Sequence, residues 1–311
     1  MTGLDTSLNE TRNTYYERYR LADVFAPVTR APDRLVGRLA AIEGVSAVEP
    51  RVVGGALIDL ADKDLPVQAQ AISLPDLRDP RLNDVFLTDG RMIDSDHTDE
   101  ILLLQSFAIA HSLRPGDRIH ATMNGARRSF RIVGLAQSPE FLYVTAPGEL
   151  IADDARFGVI WMSRAGLAAA YDMQGAFNEA LLSLSRGANE AAVLDAVDRI
   201  LAPYGGTGAY PLADQTSNLI VSEEIGDLDQ PSFRHRHPAR SVAHADAQRA
   251  DPMPMLRRPF VLRHRSQQFA IVSELHDERK RGTEDRRYPI KCELLHITRT
   301  ISQQKGVRDL T

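Results

Sequence analysis

Three closely spaced glycines, Gly205, Gly206 and Gly208, are the nearest this sequence comes to a phosphate-binding loop. A loop that cradles phosphate links a strand to the start of a helix, where free backbone N–H groups face the anion. These glycines instead follow a predicted helix over 190–201. We therefore expect them to end that helix and to have no role with phosphate.

An acidic run from Asp94 to Glu100 has the look of a calcium-binding loop. A calcium loop that starts at Asp94 needs glycine at its sixth position and a bidentate glutamate at its twelfth. The sixth position is Asp99 and the twelfth is Gln105. We interpret the run as a solvated loop.

The remaining chemistry-bearing residues are isolated. His111 and His120 have no acidic or cysteine partner nearby in the sequence, so a structural or surface role is expected for both. The single cysteine, Cys292, excludes an intramolecular disulfide and a cysteine-rich zinc module. The common nucleotide-binding, metalloprotease and serine-hydrolase motifs are absent. The sequence thus predicts no catalytic, cofactor-binding or metal-binding residues and no enzyme, with a hydrolase of unrecognised site as the remaining enzymatic alternative.

Composition describes a globular chain without an apparent membrane or export signal. The 311 residues are 43% hydrophobic and 25% charged, with a net charge of −5, which suffices for one sizeable core or two modest ones. No apolar stretch reaches the roughly 18 residues that a bilayer span requires. The first ten residues carry Asp5 and Glu10 where a signal peptide is basic and then apolar.

The charge changes sign at Gln230. Residues 1–230 hold 20 Lys and Arg against 33 Asp and Glu, whereas 231–311 hold 17 against 9 and six of the nine histidines. The second segment has only short apolar runs, and we expect it to be a basic tail of low order. It could bind nucleic acid or anionic lipid, could be a native regulatory extension, or could be translated from a shifted frame or a rearranged junction. We favour the last, and no nucleic-acid partner is expected because acidic residues are interleaved with the basic ones.

Periodicity in 1–230 predicts alternating strands and helices. A helix over 6–20 begins with the capping-box spacing of Ser7 to Glu10, and Ser106 is expected to cap a short helix through Ala110. Asn124-Gly125 predicts a tight hairpin, because both central positions of that turn need positive φ. The other predicted strands are 22–28, 45–53, 56–60, 67–72, 100–104, 158–162 and 178–184, and the other helices are 32–42, 164–171, 190–201 and 215–229.

The order of these features resembles the extracytoplasmic domain of FtsX/MacB-type ABC-transporter permeases, over about residues 7–230. None of the segments is specific alone, but the five follow the order found in that family. The segments that carry the resemblance are "LNETRNTYYERYRLADVFAPVTRAP", "GVSAVEPRVV", "LTDGRMI…DEILLLQSFAIAHSLRPGDRIHATMNGARRSFRIVGLAQSPEFLY", "FGVIWMSRAGLAAAYDMQGAFNEALLSL" and "AVDRILAPYGGTGAY".

The resemblance implies an α+β fold in which a porter-like β-α-β subdomain carries an inserted β-rich subdomain. The implied divisions are a membrane-proximal helix at 1–20, the porter-like subdomain at 21–80 and 157–211, the inserted subdomain at 81–156, a helix at 212–230 that leads towards a transmembrane helix, and the tail at 231–311. Because both terminal helices would lead to one membrane face, helix 6–20 is expected to lie near helix 215–229.

The implied role is mechanical. In such permeases a partner ATPase subunit hydrolyses ATP, and the permease transmits the motion to this domain at the inner membrane, which moves lipid, lipoprotein or peptide. Periplasmic or outer-membrane proteins and a second permease are further partners in the family. The sequence lacks the membrane helices and the ATPase-contacting loops, so it is expected to be a fragment, with the missing helices encoded in the flanking DNA. A free-standing soluble binding or interaction module of the same fold is the alternative.

Overall fold

The computed structural model describes residues 3–60, 65–144 and 153–228, which form an α+β body with two β-sheets and flanking helices. The predicted tail at 231–311, including Cys292, lies outside the described residues. None of the helices in these ranges combines the length and the apolar composition that a membrane span requires.

Six helices and eleven strands make up the described part of the chain. The helices are α1 (Gly3–Arg18), α2 (Val36–Ala40), α3 (Gln105–Ala110), α4 (Arg164–Ala170), α5 (Glu190–Leu201) and α6 (Thr216–Leu228). The strands are β1 (Val24–Pro32), β2 (Val45–Arg51), β3 (Val53–Asp59), β4 (Val67–Leu74), β5 (Phe86–Gly90), β6 (Glu100–Leu104), β7 (Arg118–Met123), β8 (Ala126–Gln137), β9 (Phe157–Ser163), β10 (Ala176–Leu184) and β11 (Tyr210–Pro211).

The smaller sheet has four antiparallel strands in the order β11-β1-β10-β2. It is built from two β-α-β units, β1-α2-β2 and β10-α5-β11, and its core contains residues from both helices. Successive side chains of a strand point to opposite faces. Val24 and Ala26 accordingly pack in the core formed with α2 and α5, whereas Phe25 packs in the cluster that contains α1 and α6.

The larger sheet has the order β5-β8-β6-β9-β4-β3-β7, and β7 also pairs with β8. Six of its strands therefore close into a barrel. Closure depends on the length of β8, since residues 126–131 pair with β7 and residues 131–136 pair with β6. All five residues of β6 are buried, and Trp161 of β9 is only 2% exposed. The predicted buried strand 100–104 is thus confirmed.

The predicted hairpin is also confirmed. Asn124 and Gly125 connect β7 to β8 with φ values of 48° and 77°, and Met123 is paired directly with Ala126. Positive φ at both turn positions matches the right-handed twist of the strands, which explains why this dipeptide was informative.

The two sheets do not divide the chain at residues 81 and 156, the predicted subdomain boundaries. Strands β3, β4 and β9 lie in the segments expected to be porter-like, yet they pair within the barrel. The parallel pairing of β4 with β9 joins residues about ninety positions apart in the chain. Periodicity identifies a strand but not its partner, so the sequence could not show that the chain changes sheets between β2 and β3.

Three predicted helix starts differ from the structure. Helix α1 begins at Gly3, so Ser7 lies inside the helix and not at its start. Helix α3 begins at Gln105 after Leu104, which provides no side-chain cap, so Ser106 is not the capping residue. The helix predicted from Pro32 is shorter than expected: a 3-10 turn at Asp33–Leu35 precedes α2.

Candidate functional site: the junction of the terminal helices and the two sheets

The three glycines considered for phosphate binding have structural positions. Gly205 ends the turn after α5 with φ of 79°, and its carbonyl oxygen accepts hydrogen bonds from the backbone N and the hydroxyl of Thr29, at 2.9 and 3.1 Å. A Cβ on Gly205 would lie 2.5 Å from the Thr29 hydroxyl oxygen. The turn therefore packs against β1 and presents no phosphate cradle.

The acidic run is held by arginines. Arg91 and Arg131 both donate to the Glu100 carboxylate, which is 2% exposed. The hydrogen bonds from Arg91 are the largest cause that lowers the pKa of Glu100, to about 2, and burial opposes them. Glu100 is thus buried and paired, while Asp94 and Asp96 lie at the surface. In the described ranges, His, Cys, Asp and Glu form no group of three or more that could hold a metal.

Neither histidine is assembled with other catalytic groups. His111 Nε2 lies 2.9 Å from the Ala155 carbonyl oxygen, and its ring packs on Phe107 with centroids 4.5 Å apart. The carbonyl can only accept, so Nε2 donates in this contact. His120 is an exposed residue of β7, opposite Ser129.

The arrangement that the fold does build is a junction where both terminal helices meet both sheets. Helices α1 and α6 pack side by side through a cluster of apolar and aromatic residues, and Arg12 Nη1 of α1 donates to Ser222 Oγ of α6 at 3.1 Å. The predicted proximity of the two helices is confirmed. The buried side chains that the helices contribute to this cluster are Leu8, Tyr15, Tyr16, Val221 and Ile225, and Tyr19 joins it directly after α1.

The end of α1 is held by the loop before β5. Backbone N–H groups of Asn83 and Asp84 donate to the carbonyls of Arg20 and Tyr19, at 2.8 and 2.9 Å. Asn83 Oδ1 in turn accepts from the Ala22 N–H at 2.7 Å. The chain therefore leaves α1 through a fixed turn, in which Arg20 adopts a positive φ of 49°.

The start of α6 is held by residues that follow β8. Gln215 Nε2 donates to the Glu140 carbonyl oxygen at 3.0 Å, and Ser217 Oγ accepts from the Tyr143 N–H at 3.0 Å. Glu140 belongs to a 3-10 turn at Pro139–Phe141, which directly succeeds the longest barrel strand. The α6 start is thereby tied to the barrel.

A buried ion cluster connects these two anchors. Arg51, at the end of β2, donates through both Nη atoms to the Glu140 carboxylate at 2.8 and 2.5 Å, and through Nε to Glu179 of β10 at 2.5 Å. Asn83 Nδ2 donates to the same Glu140 carboxylate at 2.7 Å. We call Arg51, Asn83, Glu140 and Glu179 the junction cluster.

The charged members of the cluster are buried and ion-paired. The side chains of Arg51, Glu140 and Glu179 are 6%, 8% and 13% exposed. Burial alone would lower the pKa of Arg51, but the charges of Glu140 and Glu179 outweigh it and raise the pKa above its ordinary value. Removing one member of such a buried ion pair typically costs about 3–5 kcal/mol, because the other charge is left unpaired.

Two further contacts join the sheets. Arg164 of α4, which follows a barrel strand, donates to Asp33 Oδ1 at 2.5 Å and to the Pro50 carbonyl at 3.2 Å. The Asn178 side chain of β10 accepts from the Val53 N–H and donates to the Val53 carbonyl, both at 2.7 Å. The two sheets are therefore linked on either side of the point where the chain passes from β2 to β3.

The sequence did not single out any member of the junction cluster. A usable signal was present at Glu179, the one charged residue in the strand that runs from Ala176 to Leu184. Charged residues are seldom buried unless they are paired, so such a position predicts a partner but does not identify it. The described residues of this arrangement offer no nucleophile or base aimed at an open site; their hydrogen bonds connect both terminal helices to both sheets.

Comparisons with known proteins give structural similarity only. No family model and no curated protein matches the chain. Among solved structures, the periplasmic region of MacB from Actinobacillus actinomycetemcomitans is 10% identical, with a TM-score of 0.39 over 67% of this chain and 94% of that one. The extracellular domain of the noncanonic ABC-type transporter YknZ from Gram-positive bacteria is also 10% identical, with a TM-score of 0.38 over 61% of this chain and 98% of that one.

Proposed function

We propose that residues 3–228 act as the extracytoplasmic domain of an ABC-transporter permease of the FtsX/MacB type, which receives motion from a partner ATPase through the membrane. The observation that carries the proposal is the pairing of α1 with α6. A domain inserted between two membrane helices must receive and return the chain at one face, and this requirement is independent of any catalytic residue.

The contacts of the helix pair support this arrangement. Arg12 lies six residues before the end of α1, and Ser222 lies six residues after the start of α6, and the two are hydrogen-bonded. The inner ends of both helices are held within one network through Asn83 and Glu140. The helices are therefore antiparallel, and their outer ends, Gly3 and Leu228, extend away from the junction in the same direction.

The junction cluster supports a mechanical role. A displacement of α1 acts on Asn83, and a displacement of α6 acts on Glu140 through Gln215. Because Arg51 joins Glu140 to Glu179, either displacement reaches the smaller sheet as well as the barrel. The moved or regulated substrate would be a lipid, a lipoprotein or a peptide, and the substrate would contact surfaces away from this cluster.

Membrane fractionation of the product expressed from its natural locus tests the proposal. An epitope inserted in the exposed Asn124-Gly125 turn reports the location of the domain, and a matched insertion at the exposed Gly187 controls for local effects. We expect the product to sediment with membranes after carbonate extraction and the epitope to be cleaved by protease added from the extracytoplasmic side. Recovery in the soluble fraction would favour the free-standing binding module instead.

A further inference from the structure

The junction cluster contains more negative than positive charge. Arg51 is the one cation among the described groups that bond within it, and it is shared by the carboxylates of Glu140 and Glu179. Among the described residues, the neutral amide of Asn83 also bonds to Glu140, and Tyr210 lies within reach of both glutamate charges: burial and these charges raise the pKa of its phenol to about 12. With both glutamates ionised, the buried cluster carries a net charge of −1.

The two carboxylates are not held equally. Glu140 accepts two hydrogen bonds from the Arg51 guanidinium and one from Asn83 Nδ2. Glu179 accepts from Arg51 Nε alone among the described donors, and its side chain is 13% exposed. Glu179 is therefore the less stabilised anion and the one that water reaches more easily.

We propose that Glu179 is a proton acceptor that adjusts the junction to the pH of the surrounding solution. Uptake of one proton from water neutralises Glu179 and leaves Arg51 and Glu140 as a charge-balanced pair. Loss of that proton restores the excess negative charge. Glu179 then competes with Glu140 for the Arg51 guanidinium, and the two carboxylates repel each other. Acid then tightens the link between β2 and the turn at Pro139–Phe141, and base loosens it.

The chemistry of the site agrees with this assignment. Burial raises the pKa of Glu179; Arg51 opposes the effect and the Glu140 charge adds to it. When a carboxyl has a higher pKa in the folded than in the unfolded chain, the folded chain binds the extra proton and stability falls as pH rises between the two values. The inference does not rest on the transport proposal, because it concerns the folded chain itself.

Unfolding of the full chain by urea at a series of pH values from 4 to 8, followed by the fluorescence of Trp161, tests the proposal. Glu179→Gln removes the proton site, and Glu43→Gln, an exposed glutamate, is the matched control. We expect the ratio of the wild-type unfolding equilibrium constant to that of Glu179→Gln to increase as the pH is raised from about 4.3. The increase should be at most about tenfold per pH unit and should stop once Glu179 is ionised. Glu43→Gln should follow the wild type throughout.

Two direct measurements on the wild-type chain keep the test decisive even if Glu179→Gln does not fold. Carbon-13 NMR of the glutamate carboxyl groups should give Glu179 a midpoint above about 4.3, the ordinary glutamate value. Amide exchange corrected for intrinsic rates should show Glu140–Leu142 losing protection through the same pH range. A Glu179 midpoint at or below 4.3, or an equal pH slope in the wild type and Glu179→Gln, would overturn the proposal.

Discussion

Asn83 Nδ2 lies 2.7 Å from Glu140 Oε2, so the residue that receives the end of α1 is bonded to the residue that holds the start of α6. The Asn83 side chain uses both of its polar atoms, since Oδ1 accepts from the Ala22 N–H. Its backbone adopts a positive φ of 49°, which asparagine tolerates better than most residues. One amide thus connects both terminal helices.

Replacement of this amide should weaken the whole body. Asn83→Ala leaves the buried Ala22 N–H and one Glu140 oxygen without this partner, and we expect the free energy of unfolding to fall by about 1–3 kcal/mol. Urea denaturation monitored by Trp161 fluorescence measures the loss. Asn13→Ala, at an exposed position of α1, is the control and should change stability little. Equal effects at the two positions would contradict the role given to Asn83.

Two tyrosines in α1 have buried hydroxyls whose removal should stabilise the chain. The Oη atoms of Tyr15 and Tyr16 are buried, and neither has a hydrogen-bond partner among the described residues. Burial raises the pKa of both side chains, that of Tyr16 to about 12. Removing an unpaired buried hydroxyl removes its desolvation cost, so Tyr15→Phe and Tyr16→Phe should each stabilise the chain by about 1 kcal/mol.

Tyr171→Phe is the matched comparison for these variants. Its hydroxyl donates to the Gly55 carbonyl oxygen, so the same chemical change removes a bond that is made. We expect a loss of about 0.5–1.5 kcal/mol. Thermal unfolding of the three variants side by side should therefore give opposite signs, and a loss of stability in Tyr15→Phe and Tyr16→Phe would show that their hydroxyls are satisfied in solution.

Local patterns in the sequence predicted local structure well. The Asn124-Gly125 turn needs only two residues, and the apolar strand at Glu100–Leu104 needs only its own composition, so both could be identified without tertiary information. The apolar stripe in 190–201 gave both ends of α5 correctly for the same reason. Such features are specified by neighbours in the chain.

Patterns in the sequence did not predict the long-range strand pairing or the junction cluster. Arg51 meets Glu140 and Glu179, which are 89 and 128 positions away, and no spacing rule connects them. The predicted strand 45–53 runs through Val52, where the chain passes from one sheet to the other, so the sequence prediction did not locate this passage. The candidate site is therefore a product of tertiary pairing.

Glu100 should make stability sensitive to strong acid. Hydrogen bonds from Arg91 hold its pKa at about 2, below the ordinary value near 4.3, so its contribution is complete above about 4.3 and is lost as pH falls towards 2. Because Arg91 and Arg131 are about half exposed, we expect a contribution of about 1–2 kcal/mol at neutral pH. The stability difference between wild type and Glu100→Gln should shrink from pH 5 to pH 2. Asp96→Asn, at the exposed part of the same loop, should show no such trend.

Nucleotide binding is expected to be absent. The glycine turn at Gly205 packs on Thr29, and a Cβ at Gly205 would already collide with that residue, so the turn has no room for a phosphate. Calorimetric titration of the full chain with ATP and magnesium should give only heats of dilution, with a P-loop ATPase as the positive control. Binding in the micromolar range would contradict this expectation.

Position 54 should require glycine, because the ring of Tyr171 occupies the space that a side chain would need. A Cβ at Gly54 would lie 2.3 Å from Tyr171 Cζ, whereas a Cβ at the adjacent Gly55 would meet nothing within 4 Å. Both glycines belong to β3 and neither has a positive φ, so backbone strain does not distinguish them. We expect Gly54→Ala to lower the free energy of unfolding by about 1–3 kcal/mol, because the ring must move, while Gly55→Ala leaves it unchanged or raises it slightly. In a Tyr171→Ala background the cost of Gly54→Ala should disappear, because no ring remains to be displaced; an equal cost in both backgrounds would show that another contact requires the glycine.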